Sequence, residues 1–258
     1  MNSINTLLTI IIIVCAISSF LSFPINSGIV IGYPGEKTIE ESVSLELTAK
    51  DVIDKYLQAI GGKTRLNSIR DRSTTMSGST MGKKLSIIIQ QKTPNKLKQE
   101  INTGTIQQVI IFNGIQGVMI MGDEKSAVEG NELLKLKIEA QMNFLLNPEL
   151  YGVKTELVGI EIIDSVQCYN ISMNMEDSTD WNQFYEVESG LKIKEIKSIK
   201  TPQGLYNQES FFSDYREVDR LKYPFKIKQT LGAQTIELVV EKIETNTGLQ
   251  DILFDIPE

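Results

Sequence analysis

Residues 223–243 read YPFKIKQTLGAQTIELVVEKI, two runs of alternating character about a glycine. In the first, Tyr223, Phe225 and Ile227 fall on one side and Lys226 and Lys228 on the other; in the second, Ile236, Leu238 and Val240 oppose Glu237 and Glu241. Successive side chains of an extended chain point to opposite faces, so each run describes a strand with one apolar and one polar face. Gly232-Ala233 lies between the runs, and so short a link forces the strands to run antiparallel. The same alternation recurs upstream, where Tyr169, Ile171, Met173 and Met175 oppose Asn170, Ser172 and Asn174.

Carried outward from these segments, the pattern predicts about eleven strands after Arg70: 84–91, 96–102, 105–112, 117–121, 155–163, 167–175, 183–187, 191–199, 206–215, 223–231 and 235–243. Asn113-Gly114, Ser189-Gly190 and Pro202-Gln203-Gly204 supply further turn signals. One face of the sheet reads as greasy and the other as wet, and an antiparallel sheet this long curls around its apolar face. Two helices are available to cover it. Thr48 and Asp51 have capping-box spacing ahead of Val52, Ile53, Tyr56, Leu57 and Ile60, and Gly61-Gly62 supplies the stop. Leu66 and Ile69 suggest a short further turn. A second helix is read over 129–146, where Leu133, Leu136, Ile138, Met142 and Leu145 recur at largely helical spacing and Pro148 ends the run. The expected fold is mainly β (α+β), a curved antiparallel sheet with helices over its concave face.

The chain has 258 residues, 26 Lys plus Arg against 33 Asp plus Glu, and no histidine. A net charge of -7 without a basic block argues against nucleic acid as a partner. The missing histidine removes Ser-His-Asp and Cys-His catalysis and His-bearing zinc sites. At the N-terminus, 7–17 (LLTIIIIVCAI) is an apolar run of signal-peptide length followed by Ser18 and Ser19. Residues 1–23 are therefore expected to be a signal peptide, with an uncleaved N-terminal anchor as the alternative. The stretch 24–46 mixes Pro, Gly, Ser and acidic residues as a spacer would, and the folded body is expected over 47–258.

Several motifs invite chemistry and carry little. Gly61-Gly62-Lys63-Thr64 ends like a phosphate-binding loop, but Leu57 stands where that motif needs glycine, so a helix C-cap is the reading. Cys168 lies in a predicted strand with no histidine to activate it and reads as a packed thiol. Asp177/Asp180, Glu186/Glu188 and Asp214/Glu217/Asp219 lack calcium-loop spacing and read as solvated turns; no metal, cofactor or catalytic residue is expected. Met119, Met121, Met173 and Met175 sit in i, i+2 pairs on two strands, a flexible lining that suits an adaptable cavity or an ordinary core.

The segments LTAKDVIDKYLQAIGGK (47–63), Lys92-Thr93-Pro94-Asn95-Lys96, Phe112-Asn113-Gly114, Ser213-Asp214-Tyr215-Arg216-Glu217-Val218-Asp219 leading to Tyr223-Pro224-Phe225, and Asn246-Thr247-Gly248-Leu249 with Phe254 resemble the outer-membrane lipoprotein-sorting (LolA-like) family, particularly its Bacteroidetes variety. Arg220 departs from the glycine that relatives often carry there. The resemblance implies a half-open antiparallel β-barrel whose helices cover an apolar cavity for acyl chains. The expectation that follows is a non-enzymatic periplasmic or envelope protein whose partner is a lipid or the acyl chains of a lipoprotein. Its candidate lining is Met119, Met121, Tyr169, Ile171, Met173 and Met175 together with Tyr223, Phe225, Ile227, Ile236, Leu238 and Val240. The alternative is an envelope scaffold with a filled core that meets a protein partner.

Overall fold

A computed structural model describes residues 47–80, 82–104, 106–174, 181–201 and 204–257. The leader, the spacer, Met175, the Asp177/Asp180 pair and Pro202-Gln203 lie outside the described residues.

The chain begins with helix α1 (Ala49–Ala59) and a short α2 (Lys63–Asn67). Six strands follow: β1 (Asp71–Thr80), β2 (Lys83–Lys92), β3 (Lys96–Asn102), β4 (Gln107–Phe112), β5 (Gly117–Met121) and β6 (Glu124–Val128). Helix α3 (Gly130–Glu139) and 3-10 turns at Phe144–Leu146 and Pro148–Tyr151 lead to β7 (Lys154–Ile163). The rest is β8 (Val166–Asn174), β9 (Trp181–Glu186), β10 (Lys192–Thr201), β11 (Gly204–Val218), β12 (Leu221–Leu231), β13 (Gln234–Thr245) and a last turn at Asp251–Phe254. All thirteen strands form one antiparallel sheet in the order β6-β5-β4-β3-β2-β1-β13-β12-β11-β10-β9-β8-β7. Strands β6 and β7, successive in the chain, are therefore its two opposite edges. The connection between them has to cross from one edge to the other.

That connection packs at both ends. Leu136 of α3 and Ala140 just past its end sit with Leu97 and Phe112 of β3 and β4. Ile138, Met142, Phe144 and Leu146 pack instead with α1 and with Trp181 and Tyr185 of β9. The single helix expected over 129–146 stops at Glu139 because the chain must turn down toward β9; Asn143 donates to the Leu66 carbonyl at 2.7 Å, and the Phe144 ring stacks on Trp181 at 5.5 Å. The two strands beyond the eleven expected are β1 and β6. Strand β1 (DRSTTMSGST) offers only Met76 as a large apolar residue, yet it is paired along its length on both sides, to β2 and β13. Strand β6 (EKSAV) is a polar edge.

The capping box forms as spaced, with Asp51 N–H donating to Thr48 Oγ1 at 3.3 Å and Thr48 N–H to Asp51 Oδ2 at 2.9 Å. The far end of α1 presses on the β11–β12 hairpin, where Lys222 N–H donates to the Ile60 carbonyl at 2.9 Å. Asp219 and Arg220 form the two-residue turn of that hairpin with φ of 53° and 64°. Two positive φ values define the turn type that glycine fills without strain, which is why Arg220 stands out in the sequence. The turn is held by Arg65, which donates Nε to the Asp219 carbonyl at 2.8 Å and ion-pairs with its carboxylate, and by Thr245 Oγ1 donating to Asp219 Oδ2 at 2.7 Å. Gly61, at φ 126°, lies so close that a Cβ would meet the Arg220 carbonyl oxygen at 2.4 Å and the Leu221 side chain at 2.6 Å.

Gly61→Ala should therefore cost at least about 2 kcal/mol, backbone strain adding to the collision, whereas Gly152→Ala, at φ 74° with open space around it, should cost about 1 kcal/mol. Urea midpoints of the two variants test the difference; equal losses would mean that α1 is not pinned at this contact.

Candidate functional site

Where α1 sits, the concave face is filled. Val52, Ile53 and Leu57 pack into one cluster with Ile171, Met173, Tyr185 and Leu221, and Met173 and Ile171 are wholly buried there. Tyr56 and Tyr185 meet with ring centroids 5.1 Å apart, and burial pushes both phenols above their usual range. Beyond α1 the face is hollow. A partly open cavity of about 350 Å³ lies between the sheet and the crossing segment, with Ile138, Gln141 and Phe144 as its roof.

The candidate lining residues divide among several places. Tyr223, Ile227 and Val240 line this cavity. Phe225, 8 % exposed, packs with Ile236 and Leu238 in the cluster that also holds Met76 and Ile87. Ile171, Met173 and the half-buried Tyr169 belong to the cluster under α1. Met119 lines a separate hollow of about 370 Å³ beside α3 with Ile110 and Leu136, its sulfur accepting from Gln108 Nε2 at 3.1 Å. Met121 is half-buried at the end of β5. The apolar half of the cavity also draws on Met76, Ile89, Leu97 and Ile243, and on Trp181 and Phe212.

The other half is polar, which strand alternation read as oil against water did not suggest. The register aligns Gln183 on β9, Glu195 on β10, Ser210 on β11 and Gln229 on β12 in one row, and all four are buried. Gln183 Nε2 donates to Glu195 Oε2 at 2.8 Å, and Gln229 Nε2 to Ser210 Oγ at 3.2 Å. Lys192 and Lys197 reach Glu195 from either side at 3.0 and 2.8 Å. Their ammonium groups also lie over aromatic faces, Lys192 at 4.5 Å from the Phe212 centroid and Lys197 at 4.8 Å from that of Trp181. Burial alone would raise the Glu195 carboxyl, but the two lysines outweigh it and hold the carboxyl well below the usual carboxylate range.

On the facing wall, Arg72 donates Nη2 to Gln91 Oε1 at 2.5 Å and stands over the Tyr223 ring at 5.6 Å. Gln91 Nε2 in turn donates to the Glu139 carbonyl at 2.7 Å, tying the sheet to the last residue of α3. At the rim, burial pushes the Glu139 carboxyl well above the usual range; Lys197 and Lys135 oppose the shift and Glu132 adds to it. The groups that might have done covalent chemistry are engaged elsewhere. Cys168 is fully buried, with its thiol pushed up by that burial, Asp214 pairs with Arg216, and Asp219 holds the hairpin turn. Among the described residues no three metal-ligating side chains gather. The arrangement is a hollow with one apolar side and one side lined by charged and amide groups.

No family profile matches the sequence, and no curated protein does. The fold does have solved counterparts. A LolA superfamily protein from Nitrosomonas europaea superposes with a TM-score of 0.56 at 12% identity, over 82% of this chain and 99% of that one. A protein domain from Vibrio parahaemolyticus assigned to outer membrane lipoprotein sorting gives 0.55 at 10% identity, over 80% and 97% of the two chains. A DUF1329 family protein from Desulfovibrio piger gives 0.55 at 14% identity over the same shares. The likeness establishes the architecture, a curved, unclosed antiparallel barrel with few helices.

Two predictions follow from the charges. Glu195→Leu leaves two lysines facing each other inside the sheet and should cost about 3–5 kcal/mol, while the combined Lys192→Met, Glu195→Leu, Lys197→Met variant should stay within about 1 kcal/mol of the parent; chemical denaturation of both measures this. Glu139 has its carboxyl raised in the folded state, so its stabilising contribution is complete below the unfolded value and is lost as pH climbs toward the folded one. Glu139→Gln should accordingly melt higher than the parent at pH 8, with the gap closing toward pH 4. A gap independent of pH would contradict the assignment.

Proposed function

We propose that this chain is a non-enzymatic cell-envelope protein that holds a lipid, or an acyl chain of a lipoprotein, in the cavity beneath the crossing segment, and hands it on as a carrier. The observation that carries this reading is the hollow itself: a segment anchored at both ends spans it, and the sheet below it is not filled. About 350 Å³ is at the small end of ligand cavities, roughly 300–1,000 Å³, and suits one chain at a time. Burying ten methylenes contributes on the order of 8 kcal/mol before association costs, enough for useful affinity without a covalent step.

The architecture supports the reading by likeness, since it is shared with a protein of the LolA superfamily and with a domain assigned to lipoprotein sorting. The apolar run at 7–17 fits export to the periplasm, with the spacer leading to the folded body. One observation favours the scaffold reading as well. The edge strand β7 exposes Val158, Ile160 and Ile162 at 58%, 58% and 71%, an apolar edge that a protein strand could cover.

Native mass spectrometry of protein purified without detergent should find a co-purifying hydrophobe. Thr74→Phe or Val240→Phe, each placing a ring in the cavity, should abolish it while the melting temperature falls by only a few degrees. Protein free of any hydrophobe that also ignores added fatty acid, yet forms complexes through the β7 edge, would replace the carrier by the scaffold.

A further inference from the structure

The polar half of the cavity is more specific than a greasy hollow requires. Most of its donors are satisfied within the protein: Gln183 by Glu195, Gln91 by the Glu139 carbonyl, and Lys192 by Glu195. Two are not. Gln99 Nε2 and Arg72 Nε are both shut off from solvent and have no acceptor, and Gln99 as a residue is 4% exposed. A buried donor left unmet costs about 1–3 kcal/mol, more when it carries charge, so two of them on one cavity wall call for an explanation.

The sheet brings them together. Arg72, Gln91 and Leu97 form one cross-strand row, and Thr74, Ile89 and Gln99 form the next, so both donors look into the cavity from the same quarter of the sheet. Arg72 has no carboxylate partner among the described residues; it meets the Gln91 amide and the Tyr223 ring. Arg72, Lys192 and Lys197 set three cations on the lining against two carboxylates, Glu195, which both lysines already engage, and Glu139. An anion at this wall would meet a field of its own complement, and its oxygens would meet the two unmatched donors. Met76, Ile89, Ile243 and Val240 leave the remainder of the cavity apolar.

We infer that the ligand is an amphiphile with an anionic polar end, a carboxylate or a phosphate monoester, and that this end sits inside the cavity against Arg72 and Gln99 with the hydrocarbon along the apolar lining. The inference rests on the carrier reading and narrows it to a class of ligand. A purely apolar chain would leave both donors unsatisfied, and a chain held with its head in solvent would bury none of its charge where the structure has prepared for it.

Calorimetric titration of the purified, delipidated chain with decanoate and decyl phosphate below their micellar range and decanol below its solubility limit tests this. Decanoate or decyl phosphate should bind at least tenfold more tightly than decanol. Arg72→Met and Gln99→Leu should each shrink that ratio several-fold while decanol binding is kept, and Arg72→Lys should retain part of it, which separates lost recognition from lost folding. If decanol matches the anions on the parent protein, the inference is wrong and the carrier reading stands; if none of the three binds, both fall. An anion preference that survives both substitutions, or inorganic phosphate or acetate binding as tightly as the amphiphiles, would likewise overturn it.

Discussion

The arrangement of this molecule depends on one topological constraint: β6 and β7 follow each other in the chain yet occupy opposite edges of a single sheet. A connection between two edges cannot hug either one. It has to run over a face, and the face it runs over becomes the inside. The segment from α3 to Tyr151 does this with apolar contacts at each end, on β3 and β4 at the start and on α1 and β9 at the finish. Between those anchors it roofs the sheet, and the roofed space is the cavity. Helix α1 solves the complementary problem by plugging the part of the concave face near β8 and β9, where otherwise Ile171, Met173 and Tyr185 would face water.

A roofed space stays empty only if collapse gains little. Here the floor of the hollow is charged and amidic on β9 and β10, and an apolar roof lowered onto it would trade hydration for no new hydrogen bond. Glu195 with its two lysines and Gln183 forms a network in which the carboxylate is fully engaged, so the wall is rigid as well as polar. Such ion clusters seldom raise stability over an apolar filling. Their presence in the interior is better understood as serving shape and recognition, with the lysine ammonium groups over Phe212 and Trp181 limiting the cost.

Much of this was legible in the sequence. Eleven strands, the first helix with both of its ends and the wrapped sheet follow from period-two alternation, a capping box and a glycine stop. Strand β1 is hidden because its pattern is mostly Ser and Thr with one large apolar residue; it is a strand because both neighbours pair with it. Helix α3 is shorter than the spacing suggests because leucines past Glu139 keep helical spacing while serving 3-10 turns that face a different cluster. The largest gap lies in the site. Lys192, Glu195 and Lys197 sit in a run, KIKEIKSIK, whose isoleucines fall three apart and mark no strand face. Glu195 lies in a buried polar row because β9 and β11 present Gln183 and Ser210 to it, and no single strand carries that information. Arg72 and Gln99, two strands apart, become neighbours of one hollow only through pairing.

Trp181, the one tryptophan of the chain, lies on the cavity wall and provides the most direct measurement. Titration with a fatty acid brominated along its chain should quench its emission saturably, with one chain bound per protein, and a cavity-filling Val240→Phe variant should lose the effect. Emission that stays unchanged, or that falls only in proportion to added quencher without saturating, would contradict a hollow that receives hydrocarbon beneath the crossing segment.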